Sequence, residues 1–284
     1  MNKYAFVLLL GAVLLTSCNK GSKYSISRDR DSDEIIISSS SATSESGEPE
    51  VYSGPFVNEL TEDKYTEFPI NYLKRINQFK TYKAVTEGST KTSMSFFDVT
   101  QVINVTAIKS EYSYLCNSSS SSFYSSQHDA YYHGDKVVYK NKGDSDFTVS
   151  TLEAYLDKYG TYPFETRIEG YKVTGDALTS VSKLENDEDN YRFKLSLDKE
   201  KSTTNVRIQM KEFGQLDDFP TFESIELTLT VKNDYTPVKI ELDSKYKAKK
   251  MLDTDCHQTY TVTFTNFNET IEVPNLESVK GLFN

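Results

Sequence analysis

The sequence predicts an α+β protein, mainly β: a single curved antiparallel sheet, a half-barrel, with a few short helices on its concave face. Long segments alternate apolar and polar residues with a period of two. The connections between them are short and rich in turn residues. Only three segments carry helical spacing, and they do not alternate with the strands, which disfavours a doubly wound sheet.

In chain order, Phe68, Tyr72, Leu73, Ile76 and Phe79 lie close to helical spacing, with Pro69 suited to a first turn. Phe97, Val99, Ile103 and Val105 form a long strand run whose other face is mixed. Leu152, Tyr155, Leu156 and Tyr159 make an i, i+3, i+4, i+7 stripe that Gly160 and Pro163 end. Tyr191, Phe193, Leu195 and Leu197 oppose Arg192, Lys194 and Ser196 on a strand, and Val206, Met210 and Phe213 mark a third helix ending at Gly214. Downstream, Ile225, Leu227, Leu229 and Val231 oppose Glu226, Thr228, Thr230 and Lys232. Val238, Ile240 and Leu242 then oppose Lys239, Glu241 and Asp243, and Tyr260, Val262 and Phe264 oppose the threonines at 259, 261, 263 and 265. Turn chemistry separates these runs at 142–144, 186–190 and 233–234, so neighbours are antiparallel. Clean alternation implies that each strand buries one face.

The ends of the chain differ in composition. After Met-Asn-Lys an apolar stretch from Tyr4 to Leu15 has the form of a secretory signal peptide, too short to remain as a membrane span. It closes on Leu15-Thr16-Ser17-Cys18, which resembles the bacterial lipobox. That resemblance implies cleavage after residue 17 and acylation of Cys18; an ordinary secretory cleavage site or an uncleaved anchor, with Cys18 incidental, is the alternative. Two acyl chains on one cysteine anchor a protein stably where a single chain does not. The localisation expected is therefore the cell membrane, lipid-anchored on its extracytoplasmic face. Residues 18–56 are rich in Ser, Asp, Glu and Gly and read as a disordered tether reaching roughly 30–37 Å. Residues 57–284 form the half-barrel domain, expected to be a monomer.

Charge and composition exclude several functions. With 32 Lys+Arg against 42 Asp+Glu the chain carries a net charge of −10, which argues against nucleic acid as a partner. No apolar run in the body of the chain reaches the roughly 18 residues that a membrane helix needs. Only three histidines occur: His128 and His133, five apart and so on opposite faces of a strand, and His257 beside Cys256. They read as surface residues, and no zinc spacing appears. Beyond Cys18, Cys116 and Cys256 form an even pair in an exported protein; a disulfide and two free thiols are both open. No nucleophile elbow, phosphate loop or dinucleotide fingerprint occurs, and the evident carboxylates Asp187, Glu188, Asp189, Glu226, Glu241 and Asp243 fall in turns or on solvated faces. No enzyme, cofactor or metal is implied.

The order of segments resembles a family. A first helix and strand, the helices near 150 and 206, Pro220-Thr221-Phe222-Glu223-Ser224 opening a strand, and a closing strand through Phe264-Thr265-Asn266-Phe267-Asn268-Glu269 to Ile271-Glu272-Val273-Pro274 are similar to the half-barrel lipoprotein carriers and related Gram-positive lipoproteins, the LolA/LppX-like family. The resemblance implies a convex sheet wrapped around short helices, with an apolar cavity between. No ligand-contact residue follows from the resemblance; the apolar concave face of a curved sheet, with Phe97, Ile225, Leu227, Leu229, Val238, Ile240, Tyr260, Val262 and Phe264, is the candidate lining for a lipid or other apolar small molecule. For any single one of these residues a closed core packed on Leu152, Leu156, Val206 and Met210 is the first reading. In that alternative the protein acts at the cell surface, binding protein or glycan through exposed aromatics around Tyr124, Tyr131, Tyr132 and Tyr139.

Overall fold

The computed structural model describes residues 53–284 except 95, 96, 123, 124, 167, 188 and 251. The signal segment, Cys18 and the tether up to residue 52 lie outside the described residues.

The alternation seen in the sequence becomes one antiparallel sheet of eleven strands. The strands are β1 (Tyr82–Met94), β2 (Phe97–Lys109), β3 (Ser113–Ser120), β4 (Ser125–His133), β5 (Lys136–Asn141), β6 (Thr148–Thr151), β7 (Leu178–Lys183), β8 (Tyr191–Leu197), β9 (Thr221–Val231), β10 (Pro237–Lys250) and β11 (Leu252–Thr265). Their spatial order is β6-β5-β4-β3-β2-β1-β11-β10-β9-β8-β7. Two meanders therefore meet in the middle, where β1 pairs with β11 from Lys83↔Thr265 to Ser93↔Asp255.

Cross-strand ladders fix the inner face. Leu227 lies between Leu195 and Leu242, and Leu229 between Phe193 and Ile240. All six side chains are buried. Burying a side chain of this size contributes roughly 1.5–3 kcal/mol, so a one-residue slip that turned the ladder to solvent would be very costly.

Three helices cover this face. In α1 (Phe68–Gln78), Phe68, Tyr72 and Ile76 are buried at intervals of four, and Phe68 stacks on Phe193 with centroids 4.0 Å apart. Helix α2 (Leu152–Tyr159) starts at Thr151, whose Oγ1 accepts from the Ala154 N–H, and ends at Gly160 with φ +68°. A Cβ on Gly160 would lie 2.8 Å from the Asn205 carbonyl of α3 (Thr204–Gly214), so this glycine serves both a left-handed cap and a close helix approach. Val137 and Tyr139 of β5 share one apolar cluster with Phe193 and Leu195 of β8. Strands eight places apart in the sheet would be roughly 38 Å apart if it were flat, so the sheet curves around the helices.

The end of the chain departs from the sequence expectation. Strand β11 ends at Thr265, and Ile271-Glu272-Val273-Pro274 does not extend it. Asn266 and Asn268, with φ +59° and +55°, redirect the chain. Ile271, Val273, the short helix α4 (Leu276–Val279) and Phe283 then pack on Ile108, Tyr114, Tyr131 and Val138 on the outer face of β2–β5. These strands bury both faces, whereas clean alternation had implied one.

Candidate functional site

The inner face is the one surface on which strands from both meanders and all three helices converge. Ile225, Leu227, Leu229, Ile240, Tyr260, Val262 and Phe264 join it as a buried wall. Val238 is only half-buried, at an irregularity between Pro237 and Lys239, and the side chain of Phe97 lies outside the described residues.

Polar residues occupy inner-face positions toward the far end of the central strands. Gln258 donates to the Tyr260 hydroxyl at 2.5 Å and accepts from Ser244 Oγ at 3.2 Å, while Thr90 Oγ1 and the Tyr260 hydroxyl are 3.2 Å apart. On the neighbouring strands Gln101 Nε2 donates to Ser119 Oγ at 3.0 Å, and Ser119 meets Ser126 at 2.8 Å. Backbone approach makes room here. Gly88, opposite Tyr260 in register, leaves the space that the Tyr260 ring crosses, and a Cβ there would collide with that ring and with the Thr259 carbonyl.

His128 belongs to this interior, not to the surface. It is buried, with Nε2 at 2.8 Å from the Tyr155 hydroxyl and Nδ1 at 2.9 Å from Asn141 Oδ1. Loss of solvation pushes its pKa down to about 4 despite the Asn141 contact. His133 faces the other side as its spacing requires, stacked on Tyr112, and His257 pairs with Asp243 in solvent. The aromatics proposed for a surface patch are turned in as well. Tyr131 and Tyr139 are buried and Tyr132 is half-buried, while Tyr124 lies outside the described residues. The surface-binding reading therefore loses the exposed patch it rested on.

Cys116 and Cys256 are free thiols. Cys116 lies on β3 and Cys256 on β11, with β2 and β1 between them, three strand spacings of roughly 4.8 Å. Burial and the nearby Asp129 push the Cys116 thiol up to about 11.

Near the opposite end of the strands lies a group the sequence reading missed. Glu165 and Glu169 sit on the segment that follows α2, amid Phe164, Ile168 and Tyr171. Each carboxylate is held by a backbone N–H three residues earlier, Tyr162 N–H to Glu165 Oε2 at 3.3 Å and Thr166 N–H to Glu169 Oε2 at 2.7 Å. Both side chains are half-buried. Desolvation pushes Glu165 up to about 8, aided by Glu169, and Glu169 up to about 7. Lys109, registered opposite Tyr82, lies with Nζ 5.7 Å from the Tyr82 ring centre and lowers both carboxyls slightly. No periodic signal marks either glutamate, since Glu165 lies on a loop and Glu169 in the single 3-10 turn Ile168–Gly170.

The fold and this interior define a class: an open antiparallel half-barrel whose inner face is covered by short helices and mixes an apolar wall with internal polar groups. Among solved structures the chain is similar to the Mycobacterium tuberculosis lipoprotein LppX, at 8% identity and TM-score 0.39 over 75% of this chain and 100% of that one. It is similar also to LprF from Mycobacterium bovis, at 9% and 0.38 over 78% and 99%. A LolA superfamily protein from Nitrosomonas europaea matches at 10% and 0.26 over 70% and 90%. Likenesses this distant assign neither ligand nor site residues. No protein-family model matches the chain, and no curated protein matches it.

Proposed function

We propose that the chain is a non-enzymatic lipoprotein of the cell envelope, anchored through acylated Cys18 and a tether over residues 18–56. Its half-barrel, from residue 57 on, binds a lipid or other apolar ligand between sheet and helices. The observation that carries this reading is a set of buried polar atoms without partners on elements that pack at the inner face. The Tyr72 hydroxyl on α1, Thr86 Oγ1 on β1 and Gln209 Oε1 on α3 all lack one. Each unpartnered group costs roughly 1–3 kcal/mol in a dry core, so three of them on the elements that bound one space favour an interior that admits something more. The apolar wall of Leu227, Leu229, Ile240 and Val262 supplies the surface for a hydrocarbon chain.

The protein extracted from membranes in a non-ionic detergent should carry about one apolar molecule per chain in native mass spectrometry. In the same preparation Cys18→Ala should shift the protein to the soluble fraction. Protein free of any bound apolar species, and unable to take up octanol in equilibrium dialysis, overturns the carrier reading; persistent membrane partition of Cys18→Ala overturns the anchor.

A further inference from the structure

One row of uncharged polar side chains crosses the inner face of the sheet. Ser244 on β10, Gln258 on β11, Thr90 on β1 and Gln101 on β2 are register partners in turn, and Gln101 reaches Ser119 on β3, itself in register with Ser126 on β4. The next row holds Leu242, Tyr260, Gly88 and Ile103, and the one after it Ile240, Val262, Thr86 and Val105. The hydrogen bonds of the polar row divide at Thr90. On one side Ser244 donates to Gln258 at 3.2 Å, and Gln258 donates at 2.5 Å to the Tyr260 hydroxyl, which Thr90 Oγ1 also meets at 3.2 Å. On the other, Gln101 donates to Ser119 at 3.0 Å, and Ser119 meets Ser126 at 2.8 Å. The two glutamines flank Thr90 from strands roughly 10 Å apart, and no hydrogen bond joins them among the described residues. Each amide keeps a second N–H, and Gln101 its carbonyl oxygen, without a protein partner among the described residues. A purely structural network would close on itself, whereas this one leaves donors and an acceptor on both sides of Thr90. Ser244, Gln258 and Thr90 are buried while Gln101 and Ser126 are half-buried, so the row opens toward β2–β4.

We propose that this row holds the head of the ligand, an uncharged group carrying two or more hydroxyls, with its hydrocarbon chain along the apolar wall toward Ala84 and Phe264. A hydroxyl both donates and accepts, so adjacent hydroxyls satisfy an amide N–H on one side and an amide carbonyl on the other. A charged head would give up its hydration to Ser, Thr, Gln and Tyr side chains that supply no counter-charge, which is costly. A head without hydroxyls would leave the spare N–H groups dry. From Thr90 to Ala84 the wall runs six residues, about 20 Å, long enough for an extended acyl chain. This proposal rests on the carrier reading, which it sharpens.

Equilibrium dialysis of the purified full-length protein against monooctanoylglycerol, octyl glucoside, octanol, octanoate and octylammonium, at about pH 7.5 where the acid and the amine are both charged, tests it. The tighter of the two polyhydroxy probes should bind about ten-fold more tightly than octanol, as two or three added hydrogen bonds imply, and both ions more weakly than octanol. Glyceride against glucoside tells a glycerol head from a sugar. Gln101→Leu and Gln258→Leu should each bring the preference over octanol down to about two-fold or less; if the buried Gln258 change costs folding, the half-buried Gln101 decides. Thr100→Leu, exposed on the opposite face of β2, should keep the preference. Tighter binding of either ion, equal binding of octanol and the polyhydroxy probes, or a preference that survives Gln101→Leu overturns the head site and leaves the carrier reading standing. Failure of every probe to bind overturns both.

Discussion

Titration inside the half-barrel pulls in two directions. Glu165 and Glu169, raised to about 8 and about 7, hold their protons more tightly in the folded protein than in the unfolded chain. Their contribution to stability is therefore complete below the usual carboxylate range near pH 4 and is lost as pH rises through 7 and 8. His128 acts oppositely. Its pKa is lowered to about 4, so its contribution is complete above about pH 6.5 and is lost as pH falls through that window, by at most about 3 kcal/mol. Unliganded protein should thus melt at the highest temperature in mildly acid solution, with falling limbs on both sides. Glu165→Gln/Glu169→Gln should flatten the alkaline limb and His128→Gln the acid one, as followed by circular dichroism melts across pH 4–9. An alkaline limb untouched by the double substitution would show that the carboxyls are not held protonated. None of this was legible from residue types. His128 lies in a continuous polar run, Ser125 to Asp129, and its burial comes from Tyr155 on α2, far along the chain. The two glutamates lie on a loop and a single 3-10 turn, too short for a period to tell buried from exposed.

Periodicity carried more information at the level of elements. Strands β8 to β11 and helices α1 and α2 follow the predicted spacing because each has one face on the core: Ile225, Leu227 and Leu229 are buried while Glu226 and Thr228 are only half-buried. The stop of α2 at Gly160 was legible too, but not its second role, since only the folded chain brings Asn205 and Ile208 against that position. Gly160→Ala tests the combination. A non-glycine left-handed residue costs roughly 1–2 kcal/mol, and α3 must also shift to clear the new methyl group, so a loss of about 2–3 kcal/mol is expected in urea denaturation. A change below about 0.5 kcal/mol would mean that α3 does not rest on this turn. Where the alternation was imperfect, as in Val137-Val138-Tyr139 and Ala107-Ile108, the strands bury both faces. Those short continuous apolar runs were the available sign that something covers the outside of the sheet.

At the scale of the whole molecule, that cover is the end of the chain. Two meanders joined at β1–β11 leave an open sheet whose inner side is filled by helices, while one half of the outer side is closed by residues 271–283. Val273 and Val279 are buried against Ile108, Tyr114, Tyr131 and Val138, and Lys136 Nζ donates to the carbonyls of Phe283 and Asn284 at 3.0 Å. Deleting the chain from Thr270 onward uncovers that apolar cluster and removes its two buried valines. Each buried side chain of this kind contributes roughly 1.5–3 kcal/mol, so the loss should be on the order of 5 kcal/mol. In a domain of this size that corresponds to a fall in Tm of about 10–20 °C, accompanied by binding of a hydrophobic dye. The inner wall shares no residue with the outer cluster. Octanol uptake by truncated protein held well below its melting point should therefore match that of the intact chain. An unchanged Tm would mean that the terminal segment only rests on the sheet; lost octanol uptake by folded protein would mean that the two faces act as one.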